Sequence, residues 1–262
     1  MYPLALEAVG SGPPVLLIHG TAPSLWGGLV AALSADHRVL RYDRRSFGGT
    51  GAEPPGRLTA HAGDAAALLR AHAKAPAVVV GWSIGGVIAL ELAACAPELV
   101  AGVVALDPPL HIKRHPRPAM VSAIARARIL AAAGRDASGA RAFLRWALSR
   151  RSGGSDLDRL PMEWRERVAR DARAVVGELG AGTGEHLDAD ALRAVVAPAL
   201  VLAAQDGSPV FEAAAHRAAA ALPRAELRPV PASGHAIQVD APSTVAAAVR
   251  ELSGARAGAA AG

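Results

Sequence analysis

Short apolar runs alternate with stretches that are apolar at every third or fourth position along almost the whole chain. The runs PVLLIHG (14–20), HRVLRYD (37–43), AVVVGW (77–82), LVAGVVALD (99–107), ALVLAA (199–204) and AELRPVP (225–231) predict strands. Several are apolar without a break, the pattern of strands covered on both faces in a parallel sheet. Between them, SLWGGLVAALSA (24–35), LTAHAGDAAALLRAHA (58–73), GGVIALELAACA (85–96), VFEAAAHRAAAAL (210–222) and PSTVAAAVREL (242–252) repeat at helical spacing. The alternation predicts βαβ crossovers, hence an α/β fold whose mainly parallel sheet is flanked by helices.

The regularity breaks after Asp107. DPPLHIKRHPRPAM cannot continue a helix or a central strand, and arginine-rich helical stretches follow at 119–133, 138–150 and 161–179. We read four segments: a first core part at 1–107, a helical insertion at 108–196, a second core part at 197–252, and a flexible tail of small residues at 253–262. No repeat of fixed period is visible.

The 262 residues suffice for one large core, and 52% hydrophobic with 19% charged residues suits a folded globular chain. Apolar runs end well short of the ~18 residues of a membrane helix, so no membrane partner is expected. The opening MYPLALEAVGSGPP lacks a basic region and carries Glu7, which does not read as a secretion signal; a cytoplasmic location is the expectation. Cys95 is the only cysteine, which excludes an internal disulfide, and its neighbours Leu92 and Ala96 predict a buried small hydrophobe. Residues 108–196 hold 16 Lys and Arg against 10 Asp and Glu, a net of +6, while the rest of the chain holds 12 against 13. With 3% aromatic residues this excess does not resemble a nucleic-acid surface, and an anionic substrate is the alternative use for it. His111 and His115 have i, i+4 spacing, but prolines beside them break any helix and no third ligand is apparent, so no metal site is expected.

Chemistry concentrates in GWSIGG at 81–86. A serine hydroxyl is a poor nucleophile at neutral pH and needs a base within hydrogen-bond reach and donors waiting for the oxyanion. In Gly-x-Ser-x-Gly a strand turns sharply into a helix, which exposes the hydroxyl while the flanking glycines leave room for neighbouring backbone. Here Gly81 and Gly85 flank Ser83. His235 in PVPASGHAIQVDAP lies between the last strand and the last helix, where a base belongs. Two acids are candidates: Asp206 in ALVLAAQDGSPV and Asp107 in VVALDPPL, both at the carboxyl ends of strands.

These residues carry a resemblance. His19-Gly20, YDRRSFG at 42–48, GWSIGG, Asp206 and SGH at 233–235 are similar to the motifs of the α/β-hydrolase family, in its small bacterial esterase, lactonase and cofactor-free haloperoxidase branch. The resemblance implies the α/β-hydrolase fold with a helical cap, residues 108–196, inserted between two strands. It implies a serine hydrolase acting without cofactor on a small-molecule carboxylic ester or lactone, with catalytic Ser83, His235 and Asp206. Asp206 is favoured over Asp107 because the family's acid most often follows the penultimate strand. The backbone N–H groups of Thr21 (or Ala22) and Ile84 would form the oxyanion hole. Trp26, Trp82, Trp146, Met162 and Trp164 are candidate pocket walls. Non-hydrolytic chemistry on the same residues, as in a lyase, cyclase or perhydrolase, and ligand binding without turnover are the alternatives. The sequence departs from the family at Ser46, where a glycine is expected, and in the segment Ala204-Gln205-Asp206, which is one residue short.

Overall fold

The computed structural model describes residues 4–51 and 57–259. Among these residues seven strands form one sheet: β1 (Leu6–Val9), β2 (Pro14–Ile18), β3 (Arg38–Tyr42), β4 (Ala77–Trp82), β5 (Val100–Leu106), β6 (Ala199–Ala204) and β7 (Ala225–Val230). Their order is β1-β3-β2-β4-β5-β6-β7, and only β1 runs antiparallel to its neighbour. The strands β2, β4, β5 and β6 are buried at every position, as their unbroken apolar runs require. The sequence pattern does not reveal β1; at an antiparallel edge it buries too little to show a face.

Helices α1 (Gly27–Leu33), α2 (Leu58–His72) and α3 (Ile84–Cys95) join the early strands. Between β5 and β6 come α4 (Pro118–Ala132), α5 (Asp136–Ala147), α6 (Met162–Arg170), α7 (Ala172–Glu178) and α8 (Ala189–Arg193). The chain closes with α9 (Pro209–Ala221), α10 (Ile237–Asp240) and α11 (Pro242–Ala259). Alternate strand residues feed two cores. Val15, Leu17, Val78 and Val80 meet Leu29 and Leu33 of α1 and Val245 and Val249 of α11, while Leu16, Ile18 and Val79 meet Leu68 of α2, Val87 of α3 and Ala215 of α9.

Three expectations are corrected. The helical stretch at 161–179 divides at Asp171 into α6 and α7. Residues 253–259 are the last turns of α11 rather than a tail, and 260–262 lie outside the described residues. Cys95 ends α3 on its solvent side and is exposed. No helix among the described residues is long and apolar enough to cross a membrane.

Candidate active site

The strand order reverses between β2 and β4: the chain leaves β2 toward β3 on one side and continues from β4 to β5 on the other. Such a switch point opens a crevice at the carboxyl ends of the two strands. His19-Gly20 leaves β2 there, and Ser83 leaves β4 beside it. Ser83 has φ +54° and ψ −123°, a conformation that L-residues rarely adopt. It is held by its N–H donating to Leu106 O at 2.8 Å and by α3 starting at the next residue. The flanking glycines are sterically required. A Cβ at Gly81 would lie 2.2 Å from Gly85 O, and one at Gly85 would lie 2.1 Å from Ile18 O.

His235 sits in the loop between β7 and α10 and is almost fully buried. Its Nδ1–H donates to a carboxylate, and that carboxylate is Asp107 Oδ2, at 3.0 Å. Asp107 follows the last residue of β5 directly, has φ +45°, and accepts the Ala204 N–H on Oδ1 at 3.0 Å. Burial pushes its carboxyl above the usual range, opposed by the hydrogen bonds from His235 and Ala204. Phe211 stacks on the imidazole, with centroids 3.8 Å apart and planes at 17°, and Trp82 Nε1–H donates to His235 O at 2.8 Å.

The expectation for Asp206 is therefore corrected. Its main chain does touch the His235 loop, through its N–H to Ser233 O at 2.9 Å. Its carboxylate turns the other way and accepts from Ser152 N–H at 2.8 Å, Ser152 Oγ–H at 2.7 Å and Arg150 Nη1 at 3.0 Å. The Ser152 hydrogen bonds hold its carboxyl below the usual range. The short segment after β6 places Asp206 where the helical insertion docks, and Asp107 on the adjacent strand reaches the imidazole.

A buried network the sequence did not reveal fixes the loop after β2. His19 is fully buried, donates through Nδ1–H to Gly20 O at 2.9 Å and accepts the Arg44 N–H on Nε2 at 2.9 Å, so it is neutral. Burial, and then the charge of Arg44, push its pKa well below 6.5. The Arg44 guanidinium, also fully buried, donates to His19 O (3.0 Å) and Gly20 O (2.8 Å) and pairs with Glu178 of α7 through two bonds of 2.6 and 3.0 Å. Arg44 Nη1 also donates to His61 Nε2 at 3.1 Å. Ser46, in place of glycine, takes φ +69°, the left-handed conformation a glycine would adopt freely.

Ser83 and His235 face a cavity of about 280 Å³ between the sheet and the insertion, with Thr21, Ala22 and Ile84 on its wall. Of the expected walls, Trp82 and Trp146 line it. Met162 is 63% exposed, and Trp26 is buried in the core. Trp164 tethers the insertion, its Nε1–H donating to Pro23 O at 2.9 Å. His111 donates through Nε2–H to Gly184 O and Leu187 O at 2.8 and 2.9 Å, and no group of three potential ligands for a metal ion occurs among the described residues.

Comparison with known proteins gives the same architecture. A pimeloyl-[acyl-carrier protein] methyl ester esterase of Methylococcus capsulatus is 39% identical over 105 residues, which are 39% of this chain and 40% of that protein. The chain thus matches about two fifths of the length of its curated relatives. Solved structures align over nearly the full length. The protein titled a non-heme bromoperoxidase, BpoC, of Mycobacterium tuberculosis H37Rv has TM-score 0.75 at 26% identity, covering 97% of this chain and 96% of its own. A thermophilic esterase from Thermogutta terrifontis has TM-score 0.75 at 25% identity, covering 95% and 92%. The model of the alpha/beta hydrolase family matches residues 15–248, which span the strained serine, the buried acid and the histidine. With that match and this sheet, the chain belongs to the alpha/beta hydrolase family.

Proposed function

We propose that the protein is a serine hydrolase that cleaves a small carboxylic ester or lactone through an acyl-enzyme on Ser83. The observation that carries this reading is that a strained Ser83 and a buried His235, whose Nδ1–H is bound by Asp107, line one cavity. That bond leaves Nε2 of His235 free to take the Ser83 proton as the hydroxyl attacks the carbonyl, and to return it to the leaving alkoxide. Water, activated by the same nitrogen, then releases the acid. Asp107 orients the ring and stabilises the imidazolium, the role the sequence had suggested for Asp206. The N–H groups of Ile84 and Thr21 take the oxyanion, with Ala22 the alternative to Thr21; none of the three donates to a main-chain carbonyl among the described residues.

Residues 108–196 act as a cap over this site, and their side of the cavity selects the substrate. Ile112, Met120, Ile124, Phe143, Leu144 and Trp146 offer apolar surface to an acyl chain. The charged groups on the wall are already engaged: Glu178 by Arg44, and the Lys113 ammonium by the Leu179 and Ala181 carbonyls. An uncharged, largely apolar acyl group fits this lining better than the anionic substrate suggested by the +6 balance of the segment.

The test is a panel of short- to medium-chain p-nitrophenyl esters and lactones. Wild-type protein should turn over at least one, and Ser83→Ala should lower kcat by at least about a thousand-fold with its melting temperature unchanged. An alanine variant that keeps most of the activity contradicts the assignment. The likeness to a protein titled a bromoperoxidase favours one second reading, transfer of the acyl group to hydrogen peroxide instead of water. Formation of peracid when the panel is repeated with peroxide distinguishes it.

A further inference from the structure

We infer that Arg150, which lies outside the cavity wall, is a positioning residue that holds the loop carrying His235; the inference rests on His235 being the base. Arg150 follows α5, and its side chain is 8% exposed. Its guanidinium engages three carboxylates and one carbonyl. Nε donates to Asp156 Oδ1 at 2.5 Å, Nη1 to Asp206 Oδ2 at 3.0 Å and to Ala232 O at 3.1 Å, and Nη2 to Asp240 Oδ2. Asp240 Oδ2 in turn accepts the Gly234 N–H at 2.7 Å. One cation therefore grips the residues three and one before His235, the first directly and the second through Asp240.

The fit is close. Gly234 lies flat on the Arg150–Asp156 pair, since a Cβ there would stand 2.2 Å from Asp156 Oδ2 and 3.2 Å from the guanidinium carbon. Ala232 is held at φ +56°, a conformation that a non-glycine residue keeps only where neighbours impose it. No helix or strand covers residues 231–236, so these contacts and the Asp206 N–H to Ser233 O bond hold the loop from outside, while Asp107 and Trp82 hold it from within. Arg150 belongs to the insertion and its partners Asp206 and Asp240 to the core. Docking of the cap and placement of the base are thus one event. Asp206, relieved of orienting the imidazole, anchors the arginine that steadies it.

A misplacement of the base by about 1 Å costs on the order of a hundred-fold in rate. Arg150→Met, and the milder Arg150→Lys in case the first folds poorly, should be compared with wild type at a temperature where all three are folded. Positioning predicts a kcat lowered about 10- to 100-fold in Arg150→Met with KM within about three-fold, and partial recovery in Arg150→Lys. A purely structural role would lower the melting temperature and leave kcat of the folded protein unchanged, which would overturn the inference. A second readout does not need turnover. The His235 Nδ1 proton, bound to Asp107, should give a downfield proton resonance in wild type that broadens or disappears in Arg150→Met. If it persists unchanged, the inference fails even where no ester is turned over, and absence of turnover in wild type would count against the functional reading alone.

Discussion

Asp107 and Asp206 each end a strand segment, and each is an aspartate in a turn, yet they do different work. Asp107 is buried and spends its oxygens on His235 and on the Ala204 N–H; Asp206 spends its own on Ser152 and Arg150. Ser83 and its glycines were legible in the sequence because neighbouring backbone excludes any Cβ at Gly81 and Gly85, and so forces the residue type. The place of His235, in the loop after the last strand, was legible too. The acid was not. Strands β5 and β6 are parallel neighbours whose ends lie side by side, so a carboxylate from either can meet the imidazole, and residue identity does not say which. Nor does helical periodicity say what a tryptophan faces: Trp146 meets the cavity, whereas Trp164 meets the Pro23 carbonyl.

Among the elements, the buried strands were legible because an unbroken apolar run has no other stable use in a chain that alternates with helices. The strand β1 and the break between α6 and α7 were not, since neither changes the count of apolar residues. The contact that ties α7 to the loop after β3, and through Arg44 to the His19 and Gly20 carbonyls, was also invisible, because it is a single pair, Arg44 with Glu178, 134 positions apart. That pair is buried on both sides, with side-chain exposures of 0% and 6%. Removing one charge strands the other, which costs about 3 kcal/mol or more at such sites. Glu178→Gln should therefore lower the unfolding free energy in urea by about that amount, and Arg44→Met with Glu178→Leu together should cost less than the sum of the single changes. Additive losses would mean that the pair does not interact.

For the molecule as a whole, two neutral histidines beneath the site set a pH dependence. Burial and Arg44 keep His19 well below 6.5 and push His61 down to about 2, whereas in the unfolded chain both take a proton near 6.5. The unfolded state then binds more protons below pH 6.5, so the stabilisation is complete above that value and is lost as pH falls. One pH unit below, each histidine costs about 1.4 kcal/mol, and the pair about 3 kcal/mol between pH 7.5 and 5.5. Urea unfolding at the two pH values should show this loss, cut by about half in His61→Gln; an equal loss in the variant would contradict it. The most direct test of the central claim, that Ser83 is driven by His235 and Asp107, is kcat for one p-nitrophenyl ester in Asp107→Asn beside Asp206→Asn. Asp107→Asn should lower kcat about a thousand- to ten-thousand-fold, because the amide no longer holds the imidazole in the right tautomer, and Asp206→Asn by less than about ten-fold. The reverse order would contradict it.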